Sequence, residues 1–115
     1  FTCVGNDDDI AEVALGPEGA LGAMAPGALL VDHTTTSAAM ARQLAGDCAR
    51  AGLGFVDAPV SGGEAGAIHG KLAIMCGGSA GDVARAEPIM AAYAKAIVHV
   101  GPAGSGQTAK MANQM

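Results

Sequence analysis

A lysine and an asparagine stand three residues apart in Lys110-Met111-Ala112-Asn113. On a helix, residues at i and i+3 share a face, so an ammonium and an amide would project together. Such a pair can hold one hydroxyl or carbonyl oxygen, and the lysine can exchange a proton with it. The alternative is an ordinary solvated helix face. A second constellation is Asp57-Ala58-Pro59-Val60-Ser61-Gly62-Gly63. Here a strand runs into a serine and two glycines, and Glu64–Ala67 can begin a helix. Bare backbone N–H groups beside a hydroxyl make an anion cradle suited to a carboxylate or phosphate. The competing reading is a tight turn that needs glycine only for its backbone angles.

Gly104-Ser105-Gly106-Gln107-Thr108-Ala109 spells G-x-G-x-x-A, the dinucleotide fingerprint on paper. That fingerprint belongs to the first strand–helix turn of a βαβ unit. Several strands already precede it here, so a glycine-rich helix entry is the stronger expectation. Val4-Gly5-Asn6-Asp7 and Asp32-His33-Thr34-Thr35-Thr36-Ser37 are polar loops after apolar runs. They fall where open α/β sheets bind ligands. Asp32 and His33 are neighbours on a strand and point to opposite faces, which argues against joint acid–base work. His69 and His99 have no partners at metal-ligand spacing, and no metal is expected. Cys3, Cys48 and Cys76 are odd in number and far apart, without C-x-x-C. They indicate neither a disulfide framework nor a zinc site, but a reducing cytoplasm. Cys3 and Cys76 lie in apolar runs and are expected to be small buried hydrophobes.

The elements that must position these residues follow from hydrophobic patterning. Apolar runs at Phe1–Val4, Ala28–Val31, Leu53–Val60, Leu72–Cys76 and Ala96–Val100 have the length and flanks of strands buried on both faces. Helices are expected at Ile10–Leu15 behind the acidic Asp7–Asp9, briefly around Ala20–Met24, and at Ala38–Ala51 opened by Ser37. Others run from Gly81 to Ala94 with Asp82 as N-cap and Pro88 inside, and from Gly104 toward Met115. This alternation predicts an α/β fold with a largely parallel sheet. The 115 residues are half apolar, carry a net charge of −5 and contain 18 glycines. That balance excludes a disordered chain and a nucleic-acid binder, and no apolar run is long enough to span a membrane as a helix. The chain starts at Phe1 without an initiator methionine and stops within a helical segment. We therefore expect a piece of a longer protein, poorly soluble and inactive alone.

Taken together, the motifs resemble the β-hydroxyacid dehydrogenase family, typified by 3-hydroxyisobutyrate dehydrogenase. The resemblance spans the chain. It is strongest in Phe55–Gly63, through Gly70-Lys71-Leu72 to Met75-Cys76-Gly77-Gly78, and in Gly101–Gln114. It implies a Rossmann-type domain that binds NAD or NADP, followed by a long helix into a helical domain. Residues 1–103 would be the second half of the nucleotide domain, and 104–115 the start of the interdomain helix. Lys110 then matches the catalytic lysine and Asn113 a ligand of the substrate hydroxyl. Ser61, Gly62 and Gly63 match the loop that holds the substrate carboxylate. Val4 and Gly5 match a cofactor-contacting loop, Asp9 touches cofactor, and Thr35 lies near the nicotinamide. Two departures concern cofactor contacts: the family's Leu-Pro is Val4-Gly5 here, and its Asp-Ser-Ser/Thr-Thr is Asp32-His33-Thr34-Thr35. The related 6-phosphogluconate dehydrogenases usually carry His at the position of Asn113, so Asn113 favours the small-hydroxyacid branch. The resemblance implies a nicotinamide-dependent oxidoreductase acting on a small 3-hydroxy acid or semialdehyde, with no nucleic-acid or membrane partner and a homo-oligomeric full-length form. A semialdehyde or glyoxylate reductase, and a non-catalytic NADP-binding scaffold, are the alternatives.

Overall fold

A computed structural model describes residues 1–114 and consists of a mostly parallel sheet with helices on both faces. The α/β class is as expected. Strands β1 (Leu29–Asp32) and β2 (Gly54–Asp57) pair in parallel, with Asp32 opposite Asp57 at their ends. Strand β4 (Leu72–Gly77) pairs in parallel with β5 (Ala94–Gly101). The two halves meet antiparallel, through Asp57 opposite Gly77 and through the short β3 (Val60–Ser61) beside Ile74 and Ala73.

Period-two alternation explains the layers. Leu30 and Phe55 join a cluster with Ile10, Ala14, Ala41, Leu44 and Cys48, from α1 (Asp7–Leu15) and α3 (Ala38–Arg50). Val31 and Val56 point the other way. They pack with Leu72, Ile74, Cys76, Val83, Ala86 and Met90, under α5 (Ala80–Met90). The small helix α2 (Ala20–Ala23) follows α1, and α4 (Gly63–Ile68) lies between β3 and β4. The last helix, α6 (Ser105–Gln114), packs across β4, β5, β2 and α3. Met115, where the helix was expected to reach, lies outside the described residues.

Local rules place most helix starts. The Asn6 side chain accepts the Asp9 N–H at 2.9 Å, and the Ser37 hydroxyl oxygen accepts the Met40 N–H at 3.0 Å. Several expectations are corrected. Helix α5 is capped by Ser79, which accepts the Asp82 N–H at 3.1 Å. Asp82 instead turns inward to accept the Phe55 N–H. The same helix ends at Met90 rather than Ala94, because Ala94 already pairs with Leu72 in the sheet. Phe1–Val4 runs beside β1 but bridges it only at Thr2 opposite Asp32, so it does not form a full strand. Burial on both faces holds for β1 and β2 but fails for β5. Among the described residues that strand pairs only with β4, and it leaves Val98 and Val100 exposed. Cys3 is exposed, whereas Cys48 and Cys76 are buried as small hydrophobes, and burial pushes both thiols up to about 11.

Candidate functional site

Two buried aspartates end the adjacent parallel strands β1 and β2, and each organises a loop. A buried carboxylate must find hydrogen-bond donors. Asp57 finds them at the foot of α6, where its oxygens accept the N–H of Gly104 at 2.8 Å and of Gln107 at 3.1 Å. Free N–H groups and the helix dipole both favour an anion there. The glycines of this turn have separate reasons. Gly104 has φ +93°, a conformation L side chains rarely adopt, and a Cβ on Gly106 would collide with the Met75 carbonyl. The helix therefore lies directly on the sheet. Its amino terminus is occupied by the chain's own carboxylate, which explains the G-x-G spacing without a phosphate.

Asp32 accepts the Thr2 hydroxyl at 2.9 Å and the Thr34 N–H at 3.1 Å through one oxygen. Its other oxygen, Oδ2, is buried without a partner, and burial raises the pKa of the carboxyl. Beside it, the His33 ring is held between the Ala58 carbonyl (Nδ1, 2.6 Å) and the Tyr93 hydroxyl (Nε2, 2.7 Å). It stacks on Phe1 and meets Tyr93 edge-on. A carbonyl only accepts, so Nδ1 carries a proton, and in the neutral ring Nε2 accepts from Tyr93. Burial lowers the His33 pKa and favours that neutral form. Asp32 and His33 thus serve different partners, as their opposite orientation predicts.

The loops at this end of the sheet are tied to one another. The Val4 N–H donates to the Thr34 hydroxyl oxygen at 2.9 Å. The Asp7 carboxylate accepts both the N–H (2.9 Å) and the hydroxyl (2.7 Å) of Ser37. A Cβ on Gly5 would sit 2.7 Å from the Asp9 carboxylate, so glycine lets the loop pass close to α1. Gln107, fully buried, accepts the Thr36 N–H at 3.0 Å and donates to the Thr34 carbonyl at 2.7 Å. Between these braces lies an open groove of about 550 Å³ lined by Asn6, Asp7, Asp8, Thr35, Thr36, Ser37 and Met111.

Of the residues singled out from the sequence, Thr35 is exposed in this groove, and Val4, Gly5 and Asp9 flank its Asn6–Asp8 wall. Lys110, half-buried, and Asn113, exposed, lie one turn apart on α6, with Met111 of the same helix reaching the groove. Ser61–Gly63 stand apart from the groove lining, at the end of β3. Gly62 (φ +124°) and Gly63 (φ +59°) both need left-handed backbone, and Ser61 is half-buried. Helices α4 and α6 both pack on β4, which carries the serine turn and the lysine on one framework. Sequence reasoning gave no role to Asp57 or Gln107. The available signal was a charged residue inside an apolar run, which a strand buries only if something pairs with it.

The groove suits part of a dinucleotide. It sits at the carboxyl end of β1, where open α/β sheets bind ligands. Its hydroxyls and the Asn6 amide can hydrogen-bond a ribose or carboxamide, and among the described residues no basic side chain lines it to attract a pyrophosphate. Among the described residues, no helix is long and apolar enough to cross a membrane.

Comparison with known proteins gives the following. Residues 1–101 match the NAD binding domain of 6-phosphogluconate dehydrogenase. An uncharacterized oxidoreductase of Shewanella frigidimarina is 48% identical over the whole chain, which covers 40% of that relative. The NAD-dependent L-serine dehydrogenase of Pseudomonas aeruginosa is 41% identical over 86% of the chain and 33% of its own length. The solved structure of Mycobacterium tuberculosis 3-hydroxyisobutyrate dehydrogenase with L-serine superposes with a TM-score of 0.91 at 35% identity, over 97% of this chain and 38% of that one. The chain spans about two fifths or less of the length of these relatives.

Proposed function

Because the chain belongs to the family of the 6-phosphogluconate and 3-hydroxyisobutyrate dehydrogenases, with NAD or NADP as its cofactor class, we propose that the complete protein oxidises a small 3-hydroxy acid and reduces the corresponding semialdehyde. The observation that carries this reading is the seating of α6. Its foot is fixed by Asp57 and Gln107, and its next turn carries Lys110 beside the groove-lining Met111. In this reading residues 1–103 are nucleotide-domain sequence and 104–115 open an interdomain helix. The substrate class extends to 3-hydroxy amino acids, since L-serine accompanies the mycobacterial structure and names the Pseudomonas enzyme. The three unpaired cysteines fit a reducing compartment, the cytoplasm in this proposal.

Thr35 and the Val4-Gly5 loop would hold the cofactor, with Asp9 at its edge. The nicotinamide supplies hydride acceptance and return. The chain's own residues bind, orient and move the proton. The Ser61 hydroxyl and the backbone of Gly62 and Gly63 receive the substrate carboxylate, and Asn113 orients its hydroxyl. In oxidation a neutral Lys110 Nζ accepts the hydroxyl proton as hydride leaves carbon. In reduction the ammonium returns it to the forming alkoxide. A positioned acid–base group contributes about 10²–10⁴-fold to rate. Lys110→Ala in the complete protein should lower kcat by about that factor while cofactor affinity stays near wild type. Near-normal turnover of a 3-hydroxy acid by this variant would remove the lysine from the mechanism.

A further inference from the structure

We propose that Gln107 is a positioning residue that holds the cofactor-facing loop in register with the helix bearing Lys110; this rests on the dehydrogenase reading above. Gln107 is the point where three parts of the site meet. Its backbone N–H is taken by Asp57 at the end of β2. Its side-chain oxygen accepts the N–H of Thr36, and its side-chain nitrogen donates to the carbonyl of Thr34. Those two bonds bracket Thr35, whose side chain is left exposed in the groove. Lys110 and Met111 follow Gln107 at i+3 and i+4, on the same side of the helix. Met111 reaches the groove from α6 while Thr35–Ser37 line it from the loop. The amide is therefore a direct link between the loop and the helix that supply two parts of the groove wall.

The chemistry favours an amide here. The site presents one backbone donor and one backbone acceptor, and a primary amide answers both. Leucine answers neither and leaves two buried backbone groups unpaired. A carboxylate accepts from Thr36 but faces the Thr34 carbonyl with a second acceptor. A protonated carboxyl restores the pattern, with its C=O toward Thr36 and its O–H toward Thr34. Displacement of Thr35 relative to α6 then weakens cofactor binding and misplaces Lys110 together, whereas loss of stability alone does neither.

The test uses the complete protein with Gln107→Leu and Gln107→Glu. NADH or NADPH affinity is read by fluorescence titration, independently of turnover, and kcat is measured at saturating cofactor. Circular dichroism confirms that each variant is folded at the assay temperature. Gln107→Leu should raise the cofactor Kd and lower kcat by about tenfold each. Gln107→Glu should resemble it near pH 8 and return toward the wild-type value at the same pH as the pH falls to about 6, where a buried glutamate takes up its proton. This recovery keeps the proposal testable if the leucine variant does not fold. Wild-type Kd and kcat in both variants, or a glutamate-to-wild-type ratio that does not change with pH, would overturn it. A wild-type protein that binds neither NADH nor NADPH would instead overturn the dehydrogenase reading, and the proposal with it.

Discussion

The Ser61–Gly63 turn and the Gly104–Gln107 turn both follow a strand, both contain two glycines, and both open a helix. Their surroundings differ. At Gly62 and Gly63 the need is conformational: both have positive φ, and a Cβ on Gly63 would meet nothing within 4 Å. Helix α4 behind them is six residues long and mostly exposed. At Gly106 the need is spatial, because the helix rests on the Met75 carbonyl and on Asp57, and the amides at its foot are held by a buried carboxylate. The first turn leaves its glycine backbone exposed. The second has the N–H groups of Gly104 and Gln107 taken by Asp57 and fixes the helix whose side chains are proposed to do the chemistry. Similar glycine-rich strings thus give an open turn, proposed to bind the substrate carboxylate, in one place and a fixed mount in the other, and what separates them is the presence of Asp57.

The sharpest way to break this contrast is to remove that carboxylate. Asp57→Ala leaves two buried N–H groups unpaired and should cost about 2–4 kcal/mol of stability in denaturant unfolding. Asp57→Asn keeps one acceptor and should cost less. Equal, small losses in both would mean that the carboxylate does not hold the helix. Next in size is a matched pair of glycine substitutions. Gly106→Ala drives a methyl into backbone and should cost about 2–3 kcal/mol. Gly63→Ala meets only the left-handed backbone penalty of about 1 kcal/mol. The comparison fails if Gly63→Ala proves the more damaging to thermal stability.

The smallest expected effect lies at the hinge between the two regions, where His33 binds the carbonyl of Ala58 on the way to Ser61. Burial lowers the His33 pKa from 6.5. A depressed folded pKa means that its contribution is present above the unfolded value and lost as pH falls through the folded one. Melting temperatures of wild type and His33→Asn should therefore converge between about pH 7 and pH 5. A constant gap would show that His33 keeps one charge state throughout.

The sequence carried the α/β alternation because β1 and β2 show clean apolar runs and the acidic or serine-opened helices obey local capping rules. It also carried the placement of Lys110 and Asn113 one turn apart on a helix, since that depends only on helical spacing. It did not carry the exposure of β5, because an apolar run looks the same at a sheet edge as at its centre. Nor did it carry the work of Asp57 and Gln107. Their partners are 47 to 73 residues away, a separation that no local pattern encodes. The Ser79 cap was missed for a simpler reason: Asp82 is equally good cap chemistry, and only its contact with the Phe55 N–H shows that it is engaged elsewhere.

The close seating of Gly106 gives α6 a fulcrum. With the foot pressed on backbone and held by Asp57, a tilt of the helix would pivot near that point. At about 1.5 Å of rise per residue, the Lys110 backbone lies about 6 Å along the lever and that of Asn113 about 10 Å. A tilt of about 5° then carries Lys110 by about 0.5 Å and Asn113 by nearly twice as much. In the proposed mechanism the proton-transfer group would sit where the arc is short, and the hydroxyl-orienting group where it is long. Small rotations of this helix would retune substrate fit before they disturbed the lysine.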